Sequence, residues 1–309
     1  NAGNLLDVAY LDKETRHIRI VRINEANRKV QEIKVSAAGE TDRLLGISRI
    51  PGDNSIVLGY SKDNNHGNSG FEYWITRLSE QGHTIFNTRI FGSQPAGETW
   101  AKGEPGEAAS GRIAYNPATN RIGFYTGHTM KWDDGIRHQG GYIGFLNTKG
   151  QQLTRTNSNS VLGDTWFFSH NFNQRMIVAD GKYITLAHGD AYPRALGFNV
   201  WNDDTTTTSN ELQTNYFDIP GAQGDNTTHT ETGGIVELND GNFGVIFASS
   251  VNREKRDVCF KKISPEGQVL LTKWLTSNTG TDAYLPRIAR KGPETIFIAW
   301  AQYEDYTGI

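Results

Sequence analysis

Residues 235–274 read IVELNDGNFGVIFASSVNREKRDVCFKKISPEGQVLLTKW, and this stretch decides the fold. It contains four short β-rich runs: Ile235–Leu238, Asn242–Phe247, Asp257–Ile263 and Gln268–Trp274. Polar, Gly-containing turns join the outer pairs, Asn239-Asp-Gly-Asn242 and Ser264-Pro-Glu-Gly267. Such turns supply the positive-φ positions that a tight hairpin requires. The stretch therefore reads as one four-stranded antiparallel unit. No segment of the chain keeps apolar residues at helical spacing over about ten positions, so helices are not expected.

Working outward, the unit recurs. First strands are expected at Leu45–Ile50, Arg112–Tyr115, Met176–Ala179 and Arg287–Arg290, each followed by a polar turn. Third and fourth strands are expected at Glu72–Leu78 with His83–Phe91, at Tyr142–Leu146 with Gln151–Thr154, and at His17–Ile23 with Lys29–Val35. A linker restarts each unit: Gly39-Glu-Thr41, Gly97-Glu-Thr-Trp100, Gly163-Asp-Thr-Trp166, Gly224-Asp-Asn-Thr227 and Gly280-Thr-Asp282. The linker glycines are spaced 58, 66, 61 and 56 residues apart. A four-strand repeat of this kind is the mark of a β-propeller. A β-sandwich would not explain the restart motif. Lys62–Phe71, Met130–Gly141 and Asn202–Asn215 read as long insertions.

The expectation is an all-β propeller of four-stranded blades spanning residues 1–309 as a single domain. Six blades are counted, or seven if the chain is longer. Leu5–Val35 supplies three strands and lacks the first, while the last unit stops after its second strand. With no initial Met, this reads as a processed chain or a fragment of a longer protein.

Charge narrows the function. Lys+Arg number 31 against 34 Asp+Glu, a net charge of −3, too balanced for a nucleic-acid clamp or a polybasic membrane anchor. The longest strongly apolar run, Thr295–Ala301, falls far short of the ~20 residues needed to insert as a membrane helix. One cysteine, Cys259, cannot form an internal disulfide. P-loop, G-x-S-x-G, CxxC and HExxH patterns are absent, and no organic cofactor is expected.

Six residues before the aligned core positions Ile47, Ile113, Met176, Ile235 and Ile288 stand Thr41, Glu107, His170, His229 and Asp282. First strands of a propeller line its channel, so these positions are expected at one mouth. Glu107, His170, His229 and Asp282 form a ligand set suited to one divalent metal such as Zn, Fe or Mn. The same residues suit turn capping and hydrogen bonds between blades. His128 and His188 end second strands that run back toward the same mouth. After His188 come Asp190, Tyr192 and Arg194: a carboxylate, a phenol that could serve as acid or base, and a guanidinium that could hold a carboxylate or sulfate. An Asp–Arg-clasped turn is the structural alternative for that segment. Trp132, in a polar loop, is a candidate stacking platform for a ligand, with His128 and Asp190 as further binding candidates.

The repeat resembles that of secreted β-propellers over essentially the whole chain, which implies a secreted, periplasmic or cell-surface location. A narrower resemblance is to polysaccharide-lyase propellers, in which a His pair one hairpin apart, with Tyr and Arg, neutralises a uronate and abstracts its C5 proton. His170, His188, Tyr192 and Arg194 carry that resemblance, although Tyr192 and Arg194 follow the second His directly instead of coming from a following blade. Metal-dependent lactonase and esterase propellers are also similar, and imply a central ion, calcium in those families. Two functions are therefore expected. One is an enzyme acting on an anionic glycan or small ester, by metal or by His/Tyr acid–base chemistry. The other is a glycan- or protein-binding module (lectin, adhesin or assembly subunit) joined to other domains of a parent surface protein.

Overall fold

The computed structural model describes residues 5–303, apart from 25, 27, 40, 42, 64–70, 92–110, 132–136, 159, 170, 190–194, 219–227, 278–279 and 293. The described residues form six antiparallel sheets in chain order. The first holds β1 (Leu6–Leu11), β2 (Ile18–Ile23) and β3 (Lys29–Lys34). The second holds β4 (Arg43–Ile50), β5 (Ser55–Asp63), β6 (Phe71–Leu78) and β7 (Thr84–Phe91). The third holds β8 (Gly111–Asn116), β9 (Arg121–Lys131), β10 (Arg137–Asn147) and β11 (Gly163–Ser169). The fourth holds β12 (Asn171–Ala179), β13 (Lys182–Gly189), β14 (Ala195–Trp201) and β15 (Glu211–Asp218). The fifth holds β16 (Glu231–Glu237), β17 (Phe243–Ser249), β18 (Asp257–Ile263) and β19 (Val269–Trp274). The sixth holds β20 (Asp282–Lys291) and β21 (Thr295–Tyr303).

The core is divided among the clefts between consecutive sheets. Ile18, Ile20, Ile56 and Leu58 pack between the first and second sheets. Val57, Tyr73, Ile113 and Phe124 fill the next cleft. Tyr125, Phe145, Tyr183 and Trp201 fill the third. Leu186, Phe198, Ile235 and Val245 fill the fourth, and Ile246, Val258 and Ala283 the fifth. Inner sheets are thus covered on both faces, which is why β14 and β17 are buried along their whole length instead of alternating. The first strands β4, β8, β12, β16 and β20 touch in succession. Glycine permits two of these approaches. A Cβ on Gly46 would lie 2.9 Å from the Ile113 backbone nitrogen, and one on Gly233 would lie 2.7 Å from the Pro286 carbonyl oxygen.

Two strand assignments differ from expectation. The fourth strand of the third sheet is β11, not Gln151–Thr154, where Gln152 and Thr154 make only isolated bridges. Gly163-Asp-Thr-Trp166, read as a linker, is its first half and pairs irregularly with β10. Residues 202–215, read as an insertion, contain the start of β15, which pairs with β14 from Trp201↔Glu211 to Ala195↔Asp218. Thr and Asn dominate residues 202–215, and a polar outer strand carries little of the apolar alternation that marks a strand in sequence; in β11 the repeat of Gly-Asp-Thr-Trp with the other linkers hid the strand. No described helix is long and apolar enough to cross a membrane.

Candidate functional site

The five first strands share one register. Ile47 pairs with Leu58, Ile113 with Phe124, Met176 with Thr185, Ile235 with Val245 and Ile288 with Ile298. One residue earlier on each strand stand Gly46, Arg112, Arg175, Gly234 and Arg287. Three of five equivalent positions on the successive first strands are therefore arginine.

These arginines differ in use. Arg175 is buried and acts as a clasp between the fourth and fifth sheets. Its Nε donates to Gly233 O and its Nη2 to Thr232 O, both at 2.9 Å, and its Nη1 donates to Gln174 O at 2.9 Å. Arg287 is exposed, and its Nη1 donates to the neighbouring Pro286 carbonyl at 2.8 Å. Arg112 is half-buried. Burial, and then the charge of Arg287, lower its pKa from 12.5 to about 10. β8 and β20 belong to sheets separated by two others. Arg43, nearer the start of β4, is also half-buried, and burial lowers its pKa. Arg112 stays charged at neutral pH, so it and Arg287 are two cations at equivalent positions of first strands. Guanidiniums are suited to holding a carboxylate, sulfate or phosphate.

The acidic groups at the neighbouring end of the fifth and sixth sheets are engaged with one another's sheets. Glu231 is buried and accepts from Arg256 Nη2 at 2.7 Å and from the Leu285 backbone at 2.9 Å. Asp282, expected at a metal ring, accepts from the Arg256 backbone nitrogen at 2.6 Å. His229, expected beside it, is exposed and has φ 46°. Glu107 and His170, the other two members of that ring, lie outside the described residues. Among the described residues no three His, Cys, Asp or Glu side chains lie close enough to hold a metal ion.

His128 and His188 are both fully packed, at 0% and 2% exposure. They occupy different clefts. His128 sits between the second and third sheets, its ring 5.8 Å from Phe91 and 5.4 Å from Tyr142. His188 faces the fifth sheet, where its Nδ1 shares a hydrogen bond with Thr232 Oγ1 at 3.2 Å, and its ring lies 5.6 Å from Phe172. The register explains the divergence. His128 stands four residues beyond Phe124, whereas His188 stands three beyond Thr185. A one-residue offset along a strand sends a side chain to the opposite face. Trp132, Asp190, Tyr192 and Arg194 lie outside the described residues.

The arginines lie one place before the aligned core positions, whereas the expected metal ligands lie six places before them: Arg112, Arg175 and Arg287 each directly precede an aligned apolar residue, a pattern visible in the sequence.

No protein-family model and no curated protein matches the chain. Solved structures do. An ulvan lyase of a polysaccharide-lyase family, bound to -[GlcA(1-4)Rha3S]-, is 11% identical, covering 95% of this chain and 75% of its own, with a TM-score of 0.54. A glucose dehydrogenase is 12% identical, covering 96% of both chains, at 0.51. Hydrazine synthase of Kuenenia stuttgartiensis is 8% identical, covering 94% of this chain and 72% of its own, also at 0.51. At such identities the likeness is one of fold: the chain has a β-propeller-like architecture.

Proposed function

We propose that this protein engages an anionic glycan at its central channel, with Arg112 and Arg287 holding the glycan's carboxylate or sulfate. What supports this reading is the recurrence of arginine at one register position of three first strands, with Arg112 half-buried and its pKa lowered by burial and then by the charge of Arg287. An anion bound near these guanidiniums would offset the burial and the like charge that lower the Arg112 pKa. The likeness to an ulvan lyase bound to a uronate- and sulfate-bearing glycan agrees with this ligand class.

A cleavage activity would be β-elimination. A base takes the uronate C5 proton, the C4–O bond breaks, C4=C5 forms, and the leaving oxygen receives a proton. His170, Tyr192 and Arg194 are the residues assigned to that chemistry from the sequence. His188 could join it only after leaving its bond with Thr232, and its burial supports a packing role instead. The binding reading therefore stands ahead of the catalytic one, and it does not invoke a metal ion. The test is calorimetric titration with oligosaccharides that are uronic, sulfated or neutral, together with near-ultraviolet absorbance for an unsaturated uronate. Saturable binding of the anionic sugars, lost on Arg287→Gln, is the expected result. Equal affinity for neutral sugars would overturn it, and an absorbing product would promote the lyase version.

A further inference from the structure

A cavity of about 340 Å³ lies between the fourth and fifth sheets, at the end where their first hairpins turn. The β12–β13 turn forms one wall through Asp180, and the β16–β17 turn forms the other through Gly241. The floor is apolar. Ala179, Ile184, Val200 and Phe243 line it, each more than nine-tenths buried, and all four belong to the core that joins the two sheets. Lys182, on the rim, begins β13, whereas His188 stands near the far end of that strand. Six residues of extended chain separate them by about 20 Å, so the cavity is remote from the end at which the histidines were expected to act.

Three charged side chains line the same cavity: Asp180, Lys182 and Glu237. None of the three side chains makes a hydrogen bond or an ion pair among the described residues. Acidic residues of other first-hairpin turns are engaged, Asp53 with Arg77 and Asp240 with Lys262. Glu237 is half-buried, and a carboxylate partly withdrawn from water without a partner carries a desolvation cost that a bound cation offsets. The walls around these groups are held in place. Asn116 Nδ2 donates to Gly181 O at 2.8 Å, and Arg290 Nη1 donates to Glu237 O at 3.0 Å. The Gly241 backbone nitrogen donates to Leu238 O at 3.2 Å. A cavity fixed in this way loses little conformational freedom when a ligand enters.

We propose that this cavity is a second binding site, for a small organic cation: a primary ammonium on an apolar body. Two carboxylates against one ammonium leave the lining with one negative charge in excess, which a monocation balances. Lys182 is exposed, so its flexible ammonium extends into water and leaves the half-buried Glu237 to the ligand. The ligand's ammonium donates to Glu237 and Asp180, and its apolar body covers Ile184, Val200 and Phe243. The volume sits at the lower end of the range of about 300–1,000 Å³ for small-molecule sites, which suits a body the size of one ring with a short chain. This site is separate from the proposed glycan site and does not depend on it.

Calorimetric titration of the full chain with phenethylamine tests this. Saturable binding of one molecule per chain is expected. Two probes of similar shape, neutral 2-phenylethanol and anionic phenylacetate, should each bind at least tenfold more weakly. Glu237→Gln should weaken phenethylamine at least tenfold. The Glu237 side chain makes no bond among the described residues, so this variant should keep its melting temperature. Asp180→Asn is the second variant. Asp180 has φ 47°, a conformation that Asn also tolerates, so the turn is preserved while the charge is lost, and weaker binding is expected again. Absence of saturable phenethylamine binding overturns the proposal. So does phenylacetate or 2-phenylethanol binding as tightly as phenethylamine, or unchanged affinity in both variants.

Discussion

Replacing Arg112 with Gln should stabilise the ligand-free protein while removing its response to an anionic glycan. Burial and the charge of Arg287 hold the Arg112 guanidinium at about 10, against an ordinary 12.5. At about 1.4 kcal/mol per tenfold change, keeping the charge in place costs on the order of 3 kcal/mol. The substitution also removes packing by the side-chain methylenes and the other contacts of the guanidinium. A net gain of about 1–2 kcal/mol is therefore expected at pH 7. The sign follows from linkage. A base whose folded pKa lies below its unfolded one is bound less tightly by protons in the native state. The unfavourable contribution is then fully present below pH about 10 and is relieved between about 10 and 12.5. Urea unfolding provides the assay, with the midpoint moving up and the slope unchanged. A uronic oligosaccharide at a hundred times its dissociation constant should stabilise the wild type by about 2.7 kcal/mol and Arg112→Gln far less. A variant that is less stable than wild type and keeps the full glycan response would refute the reasoning, because Arg112 would then be a structural residue like Arg175.

Other substitutions separate structure from binding. Arg175→Met removes two charge-assisted bonds between sheets and leaves the Thr232 and Gly233 carbonyls without those donors; a loss of about 3 kcal/mol is expected by chemical denaturation, with glycan affinity per folded molecule retained. Phe124→Ala empties a fully buried site between Tyr73 and Tyr142 and should cost about 3–5 kcal/mol by the same measurement. Burial pushes the Cys259 thiol up to about 11, so only about one molecule in a thousand carries the thiolate at pH 8; alkylation of the native protein should be negligible over a time in which the urea-unfolded protein reacts fully. Glycan affinity should be flat from pH 7 to 9 and fall as pH passes about 10, where Arg112 loses its proton, as calorimetry at each pH would show.

Much of the architecture could be read from local chemistry. Asn239-Asp-Gly-Asn242 places Gly241 at φ 75°, and Ser264-Pro-Glu-Gly267 places Gly267 at φ 77°, so both hairpins sit where their turn residues put them. The first, second and third strands were legible because they alternate or are wholly apolar, as burial on one or two faces requires. The start of β15 was not, because Gln213, Thr214 and Asn215 pair with a neighbour without marking a buried face, and β11 was not, because its Gly163-Asp-Thr-Trp166 matches the linkers of the other units. In the candidate site, His128 and His188 were legible as residues on second strands. Their separation into different clefts was not, because it depends on a one-residue difference in pairing between β8–β9 and β12–β13.

By itself, then, the sequence determined the hairpins, their order and the repeat, because turn conformation and strand periodicity are properties of a few consecutive residues. Only the tertiary structure decided which side chains meet. Arg112 and Arg287 precede similar core residues on β8 and β20, and nothing local distinguishes them from Arg175. Arg175 reaches backbone carbonyls of the next sheet, whereas Arg112 is half-buried with its pKa lowered by burial and the charge of Arg287, and Arg287 itself is exposed. A strand's period states which face a side chain occupies. What stands opposite that face depends on how whole sheets stack, and that is settled by packing among residues far apart in the chain.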